Sequence, residues 1–342
     1  MSLRFPMTLL VVYIHSSVTG LSTQASDMGG VNSVCQIVKE FVSHGICACA
    51  VPLFFLLSGW LFFANVKEWS IQTYCGKIRG RIRSLIVPYV FWNTGLLVFT
   101  FAVQTLLPQM TSGKHMLVSN YGLYDYLMAY WDLGDGFPAC GPMWFVRNLF
   151  VYSLLTIIIY PLMRRYWLGM AILAVLFVFN PFGGAFYFAA GVWLVLNNVD
   201  FIRICKKMGK WLVAPYIVIL VVMTEKQLSG NISVPWDSYL KELSVVMGMV
   251  IIIWLIGTLY ESREISRCTR FLADSSFFVY AFHQAPLLMV DKLFVKYVSN
   301  TTIVLLAGYF LLPLLLVTVS LTLYWLIRRY SPILLTLTTG GR

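Results

Sequence analysis

Long unbroken apolar runs recur along the chain, separated by short polar segments. Examples are LFVYSLLTIIIYPLM, AILAVLFVF and VVMGMVIIIWLIGTLY. Such runs predict membrane-spanning helices, each needing about 20 apolar residues, whereas a β-barrel would alternate apolar and polar residues. We place ten spans, of which the fifth and seventh are short, with NPFGG as a tight turn after the fifth. The predicted spans are 5–20, 46–64, 84–107, 142–163, 167–179, 182–198, 211–224, 240–260, 272–290 and 301–327.

Composition supports an all-α, polytopic membrane protein. Of the 342 residues, 59% are hydrophobic and only 11% are charged, against about 25% charged in soluble domains. A soluble fold could not cover that much apolar surface, and disorder is excluded for the same reason. We expect one membrane domain over 1–342, with no appended soluble domain and no internal repeat.

The net charge of +11 would suggest nucleic acid in a soluble protein. Here 18 of the 25 Lys and Arg residues fall on one side of the ten-span frame and six on the other. The positive-inside rule therefore places both termini in the cytoplasm and removes the reason to expect nucleic acid. A competing interpretation makes 1–26 a cleaved signal peptide, with STQAS as its small-residue site.

The seven cysteines lack the paired spacing of a metal site, so we expect no metal. Cys35 and Cys140 fall outside or at the outer boundary, where a disulfide between them is possible.

Ionisable side chains inside predicted spans are functional candidates, because burying them in lipid is costly. Arg4 and His15 are 11 residues apart, which places both on one helix face, separated by about 16 Å. Arg4 would lie at the cytoplasmic boundary and His15 near mid-membrane. The alternative is a charge anchor and a histidine that bonds to a neighbouring helix.

His283 also falls near mid-depth, within SSFFVYAFHQAPLL. Pro286 frees a backbone carbonyl one turn back, which is common beside a cavity. The alternative is a histidine packed in a helix contact. Asp274, just before this span, is expected to be a helix N-cap.

Arg147 lies one and a half turns into the fourth predicted span, with Trp144 three residues earlier as a possible stacking partner. Arg147 either reaches the outer interface or lines an outward vestibule that holds an anionic or sugar ligand.

In the predicted inner loop between spans two and three, four cations lie within seven residues, Lys77, Arg79, Arg81 and Arg83. One interpretation is topological anchoring, aided by anionic membrane lipid. The other is a phosphate clamp, because guanidinium groups bind phosphate oxygens in pairs. Just before this loop, Gly59 in FFLLSGW permits close approach of a neighbouring helix.

Five blocks together resemble acyltransferase family 3 of integral membrane proteins. They are RFPMTLLVVYIH, VPLFFLLSGWLF, KIRGRIRSLIVPYVFW, GPMWFVRNLF and SSFFVYAFHQAPLL. The resemblance implies transfer of an acyl group, usually acetyl and sometimes succinyl, from acyl-coenzyme A. The acceptor it implies is a hydroxyl of a carbohydrate or lipid-linked glycan.

A mechanism that fits these residues needs a base, an oxyanion site and a coenzyme site. His15 is the first candidate for the base and His283 the second. Cations on the cytoplasmic side would hold acetyl-coenzyme A, and Trp144 with Arg147 would meet the acceptor. The alternatives are a glycan or lipid transporter or flippase, and a noncatalytic partner in polysaccharide assembly. The proposed coenzyme site comprises Arg4, Lys77, Arg79, Arg81 and Arg83.

Overall fold

A computed structural model gives the architecture, and it describes seven stretches of the chain. Helices account for most of these residues, and none of them lies in a β-strand. The all-helical class is therefore confirmed over this part of the protein. The predicted turn at 180–184 falls mostly outside the described residues, as does part of the 108–141 segment. The described stretches are 3–18, 31–108, 116–179, 184–230, 236–259, 266–298 and 301–341.

Fourteen helices in the described stretches are numbered here in chain order. They are α1 (Arg4–Ile14), α2 (Val34–Phe63), α3 (Ile71–Leu106), α4 (Leu123–Ala129), α5 (Met143–Leu154), α6 (Thr156–Met163), α7 (Tyr166–Phe179), α8 (Gly184–Leu196), α9 (Phe201–Ser229), α10 (Trp236–Leu259), α11 (Arg267–Phe282), α12 (Gln284–Tyr297), α13 (Thr302–Tyr330) and α14 (Pro332–Thr339).

Five of these helices, α2, α3, α9, α10 and α13, are long and apolar enough to cross a membrane. A sixth span is possible if α5 and α6 are counted together. The helices α1, α7 and α8 are apolar but shorter, with 11, 14 and 13 residues. The protein is thus a helical integral membrane protein, while the number of ten spans stays a prediction.

The predicted span 142–163 is not one straight helix. It is broken between Leu154 and Thr156, where α5 and α6 meet at 64°. Near the break, the Thr156 hydroxyl donates to the Ser153 carbonyl at 2.6 Å, and the Ser153 hydroxyl donates to Leu149. Ser and Thr hydroxyls that bond to backbone carbonyls of the preceding turn bend helices, which accounts for a break that hydropathy does not reveal.

The predicted span 5–20 is also shorter than expected. The helix α1 ends at Ile14, and His15 follows as its C-terminal cap, with its amide donating to the Val12 carbonyl at 3.1 Å. His15 therefore lies at the end of a helix rather than in the middle of one.

The described chain forms two compact units. The first comprises Met1–Lys67 and Ile157–Leu323, and the second comprises Glu68–Thr156 and Tyr324–Arg342.

Two glycines bring α2 and α8 together inside the first unit. A Cβ added to Gly59 would lie 2.1 Å from the Phe188 carbonyl oxygen. A Cβ added to Gly191 would lie 2.0 Å from the Leu56 carbonyl oxygen. No side chain fits at either position. The expectation that Gly59 permits close helix approach is therefore confirmed.

Candidate active site

Two histidines that are 268 positions apart meet in the first unit. His15 follows the end of α1, and His283 lies at the junction of α11 and α12. Their ring centroids are 5.1 Å apart, with the ring planes inclined at 48°. The two histidines proposed from sequence are thus neighbours, and both stand where a helix ends.

His283 is completely buried, with no exposed surface. Its Nδ1 lies 2.6 Å from the Tyr280 carbonyl oxygen. Because a carbonyl only accepts hydrogen bonds, the Nδ1 of a neutral His283 must carry the proton. Its Nε2 is then an unprotonated acceptor, and among the described residues it has no hydrogen-bond partner.

His15 is half-buried, so it is the more accessible member of the pair. Its Nδ1 lies 3.4 Å from the side-chain nitrogen of Gln284, the residue that directly follows His283. One short segment, His283–Gln284, therefore contacts His15 through both an imidazole and an amide.

A buried carboxylate fixes the chain just beyond His15. Asp291 in α12 has no exposed surface. One of its oxygens accepts hydrogen bonds from the Ser17 amide at 2.7 Å and the Ser17 hydroxyl at 2.9 Å. This contact ties the end of α1 to the helix that begins after His283. Sequence reasoning missed Asp291 because it lies one residue beyond the predicted span, although an acid beside an apolar run was a usable signal.

A hydroxyl network fixes the chain just before His15. The Ser43 hydroxyl lies 2.6 Å from both the Tyr13 carbonyl and the Tyr309 hydroxyl. The Tyr13 hydroxyl donates to the Phe310 carbonyl at 2.9 Å. With Asp291, these bonds hold His15 from both sides, as an active-site residue requires.

Arg4 lies at the opposite end of α1 from His15. It is exposed, and its carbonyl accepts a hydrogen bond from the Thr8 hydroxyl at 3.0 Å. Its guanidinium is thus open to solvent or lipid headgroups at the first turn of the helix that ends at His15.

The four clustered cations belong to the second unit, and they lie on a helix rather than in a loop. Ser70 caps this helix by accepting a hydrogen bond from the Thr73 amide at 3.2 Å. These residues form the first half of α3, which runs from Ile71 to Arg81, through a π-helical segment, Ile82–Ile86, and on to Leu106. The helix that contains the predicted span 84–107 therefore begins before that span, at Ile71.

On this helix the cations form two pairs four residues apart. Arg79 and Arg83 are exposed, whereas Lys77 and Arg81 are half-buried. Residues four apart share a helix face, so the exposed face presents two guanidinium groups together.

The chain end packs against Arg83 and Ser84. A Cβ on Gly340, which has φ of +71°, would lie 2.6 Å from the Ser84 Cα and 2.9 Å from the Arg83 carbonyl. Only glycine permits both this backbone conformation and this approach. The backbone that carries Arg83 is therefore fixed by α14 and its two terminal glycines.

Arg147, also in the second unit, stacks on Trp131. Its guanidinium carbon lies 5.0 Å from the Trp131 ring centroid, and Trp144 contacts the Phe137 ring edge-on. The guanidinium donates to the carbonyls of Trp131 and Gly136. Much of its donor capacity therefore holds the 131–136 loop, and substrate binding by Trp144 and Arg147 stays a prediction.

Hydrogen bonds hold the same loop at two further points. An oxygen of Asp132 accepts the amides of Gly134 at 2.7 Å and Gly136 at 2.8 Å, and these bonds lower the pKa of its carboxyl. The buried Asn93 side chain accepts the Cys140 amide at 2.8 Å and donates to the Tyr89 carbonyl. These bonds order the loop against α3.

Two further predictions need correction. Asp274 lies inside α11, whose N-cap is Ser266, which accepts the Thr269 amide at 3.1 Å. The helix begins at Arg267, before the predicted span 272–290. Cys35 and Cys140 are free, buried thiols, so the possible disulfide between them is not formed.

Comparison with known proteins adds to this geometry. A family model described as an acyltransferase domain matches residues 2–329. The chain is similar to the succinoglycan biosynthesis protein ExoH of Rhizobium meliloti (strain 1021). The two are 22% identical over 345 residues, covering 97% of this chain and 89% of ExoH. No solved structure matches the chain.

Proposed function

Because the chain belongs to the acyltransferase 3 family of membrane acyltransferases, we propose that it moves an acyl group from acyl-coenzyme A to a carbohydrate hydroxyl. Membership in this family gives no support to the alternative of a glycan or lipid transporter or flippase. The His15–His283 pair carries the proposal, because direct transfer to a hydroxyl needs a base at the attacking oxygen.

His15 is the proposed general base, since it is the accessible member of the pair. The acceptor oxygen attacks the thioester carbonyl carbon and loses its proton to His15. The carbon–sulfur bond then breaks, and the proton passes to the departing thiolate. The products are an ester and free coenzyme A, with no group left on the protein.

His283 and Gln284 support this step. The free Nε2 of His283 offers a second acceptor nitrogen beside the His15 imidazole. The Gln284 amide carries two N–H groups, so it can contact His15 and still offer a donor to the oxyanion. Neutral amides are suitable donors for the charge that develops on a carbonyl oxygen.

The cations are the proposed holders of the coenzyme. Its phosphates need paired guanidinium donors, and Arg79 with Arg83 presents such a pair on an exposed helix face. Arg4 adds a cation at the first residue of α1, the helix whose C-terminal cap is His15. Acetyl is the first candidate for the acyl group and succinyl the second.

The acceptor is proposed to be a polysaccharide or its lipid-linked precursor. ExoH is named for the biosynthesis of succinoglycan, and 97% of this chain aligns with it. The decisive assay uses the purified protein in detergent, supplied with glycan from cells that lack the gene and with acetyl- or succinyl-coenzyme A, and measures release of the free thiol. Thiol release from neither donor would contradict the proposal.

Loss of Arg81 and Arg83 should weaken coenzyme binding. We expect the double substitution Arg81→Ala and Arg83→Ala to raise KM for acyl-coenzyme A about ten- to hundredfold, the scale of lost charge-assisted bonds. The rate at saturation should change little. The matched control removes two exposed charges elsewhere, Arg203→Ala with Lys207→Ala. An equal effect of both double variants would indicate general charge or topology instead of a coenzyme site.

The proposed sidedness places Lys77 in the cytoplasm and Lys114 outside. Single cysteines at these positions, in a background that lacks the native seven, should label oppositely. An impermeant thiol reagent on intact cells should reach position 114 and miss position 77, since the charge bias puts an odd number of crossings between them. Labelling of both from outside would contradict this orientation and put the proposed coenzyme site in the wrong compartment.

A further inference from the structure

A polar cavity of about 210 Å³ lies within the first unit, apart from the residues proposed for catalysis. It is lined by residues of α1, α2, α8 and α10. Its polar lining consists of Ser43, His44, Tyr187, Lys241 and Glu242. His44 is exposed, whereas Tyr187 and Glu242 are each only 1% exposed. The cavity therefore passes from an open mouth to a buried polar floor.

Two buried polar atoms at this floor have no hydrogen-bond partner among the described residues. They are the Tyr187 hydroxyl and one carboxylate oxygen of Glu242. Leaving such groups unpaired costs about 1–3 kcal/mol for a neutral group and more for a charge, so native proteins rarely keep them without a purpose. Both belong to the same cavity, and a ligand with hydroxyl groups would satisfy both.

The helix that forms one wall is distorted at this point. Glu40–Gly45 is π-helical, and it is followed by a short 3₁₀ segment, Ile46–Cys49. Such π segments are rare and occur often at functional sites. Here the distortion contains Ser43 and His44, and Ser43 also bonds to the Tyr13 carbonyl, two residues before His15. The cavity is thus connected to the chain that positions the proposed base.

We infer that this cavity binds one sugar unit of the acceptor glycan, with Glu242 and Tyr187 hydrogen-bonded to its hydroxyls. The inference rests on the proposed function. A carboxyl group accepts hydrogen bonds from neighbouring sugar hydroxyls well, and a phenol can donate one to a sugar oxygen. Ile14, Pro52 and Val245 add apolar wall for the C–H face of a ring.

The size and the position of the cavity agree with one sugar unit as its occupant. The volume corresponds to about seven water molecules and lies below the range of about 300–1,000 Å³ for cavities that hold drug-sized ligands. One ring fits, and an oligosaccharide would extend through the mouth. The charge bias also predicts that His44 and Lys241 lie at the outer boundaries of the predicted spans 46–64 and 240–260.

The test measures acylation of the native glycan in cells, where the protein meets its natural acceptor. Cells that lack the gene receive wild type, Glu242→Gln, Tyr187→Phe or Val245→Trp, the last of which fills the cavity. Mass spectrometry then measures ester per glycan repeat. The controls are Glu225→Gln, at an exposed acid on α9, and Leu243→Trp, at a residue of α10 that is 47% exposed. The purified variants are also assayed for thermal melting and for binding of acyl-coenzyme A without glycan.

We expect Glu242→Gln and Val245→Trp to lower glycan acylation at least tenfold, with normal melting and unchanged binding of acyl-coenzyme A, while both controls match wild type. Acylation equal to that of the controls would overturn the inference. So would a parallel loss of acyl-coenzyme A binding, which would assign the cavity to the donor or to the fold. Absence of acyl-coenzyme A binding by the wild type would instead count against the proposed donor, and glycan acylation would still decide the role of the cavity.

Discussion

Replacing His15 with Ala should reduce acyl transfer by roughly a hundredfold to ten-thousandfold, the range that a positioned base contributes. The reason is geometric. His15 is the accessible member of an imidazole pair with ring centroids 5.1 Å apart, and the chain on either side of it is fixed by Ser43 and Asp291. The measurement is the initial rate with saturating acyl-coenzyme A and native glycan.

The matched control is His115→Ala, which removes a histidine that lies outside every predicted span. This variant should keep wild-type turnover. Expression and melting of His15→Ala should stay near wild type, because removal of a half-buried imidazole leaves the Asp291–Ser17 contact in place. Normal turnover by His15→Ala would remove this residue from the mechanism.

Replacing His283 should give the second largest loss, roughly a hundredfold in the rate at saturation. His283→Phe keeps the ring volume but removes the free Nε2 and the bond to the Tyr280 carbonyl. Because His283 is proposed to act through His15, KM for acyl-coenzyme A should hardly change. A purely structural role would appear instead as lower expression and melting, with normal turnover by the folded fraction.

The double variant His15→Ala with His283→Phe distinguishes a functional pair from two separate contributions. If the residues act as one unit, the double variant should be hardly slower than His15→Ala alone, since effects within a unit are not additive. If the rate losses of the two single variants instead multiply in the double variant, the two histidines act independently, which would contradict the pairing.

Hydropathy predicted much of the fold, because apolar length is what lipid demands of a helix. Each predicted span overlaps a helix, and the family inferred from five short blocks is confirmed. The breaks in the helices were not predicted, because local hydrogen bonds determine where a helix breaks. Thr156 and Ser153 bond to backbone carbonyls where the 142–163 segment bends, and those residue types also occur in straight helices. The division into two units depends on long-range contacts that hydropathy does not contain.

Residues of the candidate active site could be predicted where a single ionisable residue interrupts an apolar run. His15 and His283 were found in this way, and the structure brings them together. Glu242 carried the same signal inside a predicted span but was passed over, and Asp291 fell just beyond a boundary. The contacts of Arg147 could not be predicted, because its partner Trp131 comes from a loop whose path depends on Asp132 and Asn93.

The remaining expected coenzyme and acceptor residues divide between the units. Arg4 lies with the histidines in the first unit, whereas the four-cation helix, Trp144 and Arg147 lie in the second. Their roles stay predictions, and the double variant at Arg81 and Arg83 is the test that addresses the coenzyme most directly.

Acyl transfer by the pure protein tests the central proposal most directly. The purified chain in detergent receives acetyl- or succinyl-coenzyme A labelled in the acyl group, together with glycan from cells that lack the gene. We expect label to enter the glycan as a base-labile ester, with one free thiol released per ester formed, and we expect His15→Ala to abolish both. Label that stays on the coenzyme with the wild-type protein, or that enters the glycan equally well with His15→Ala, would contradict the proposed mechanism.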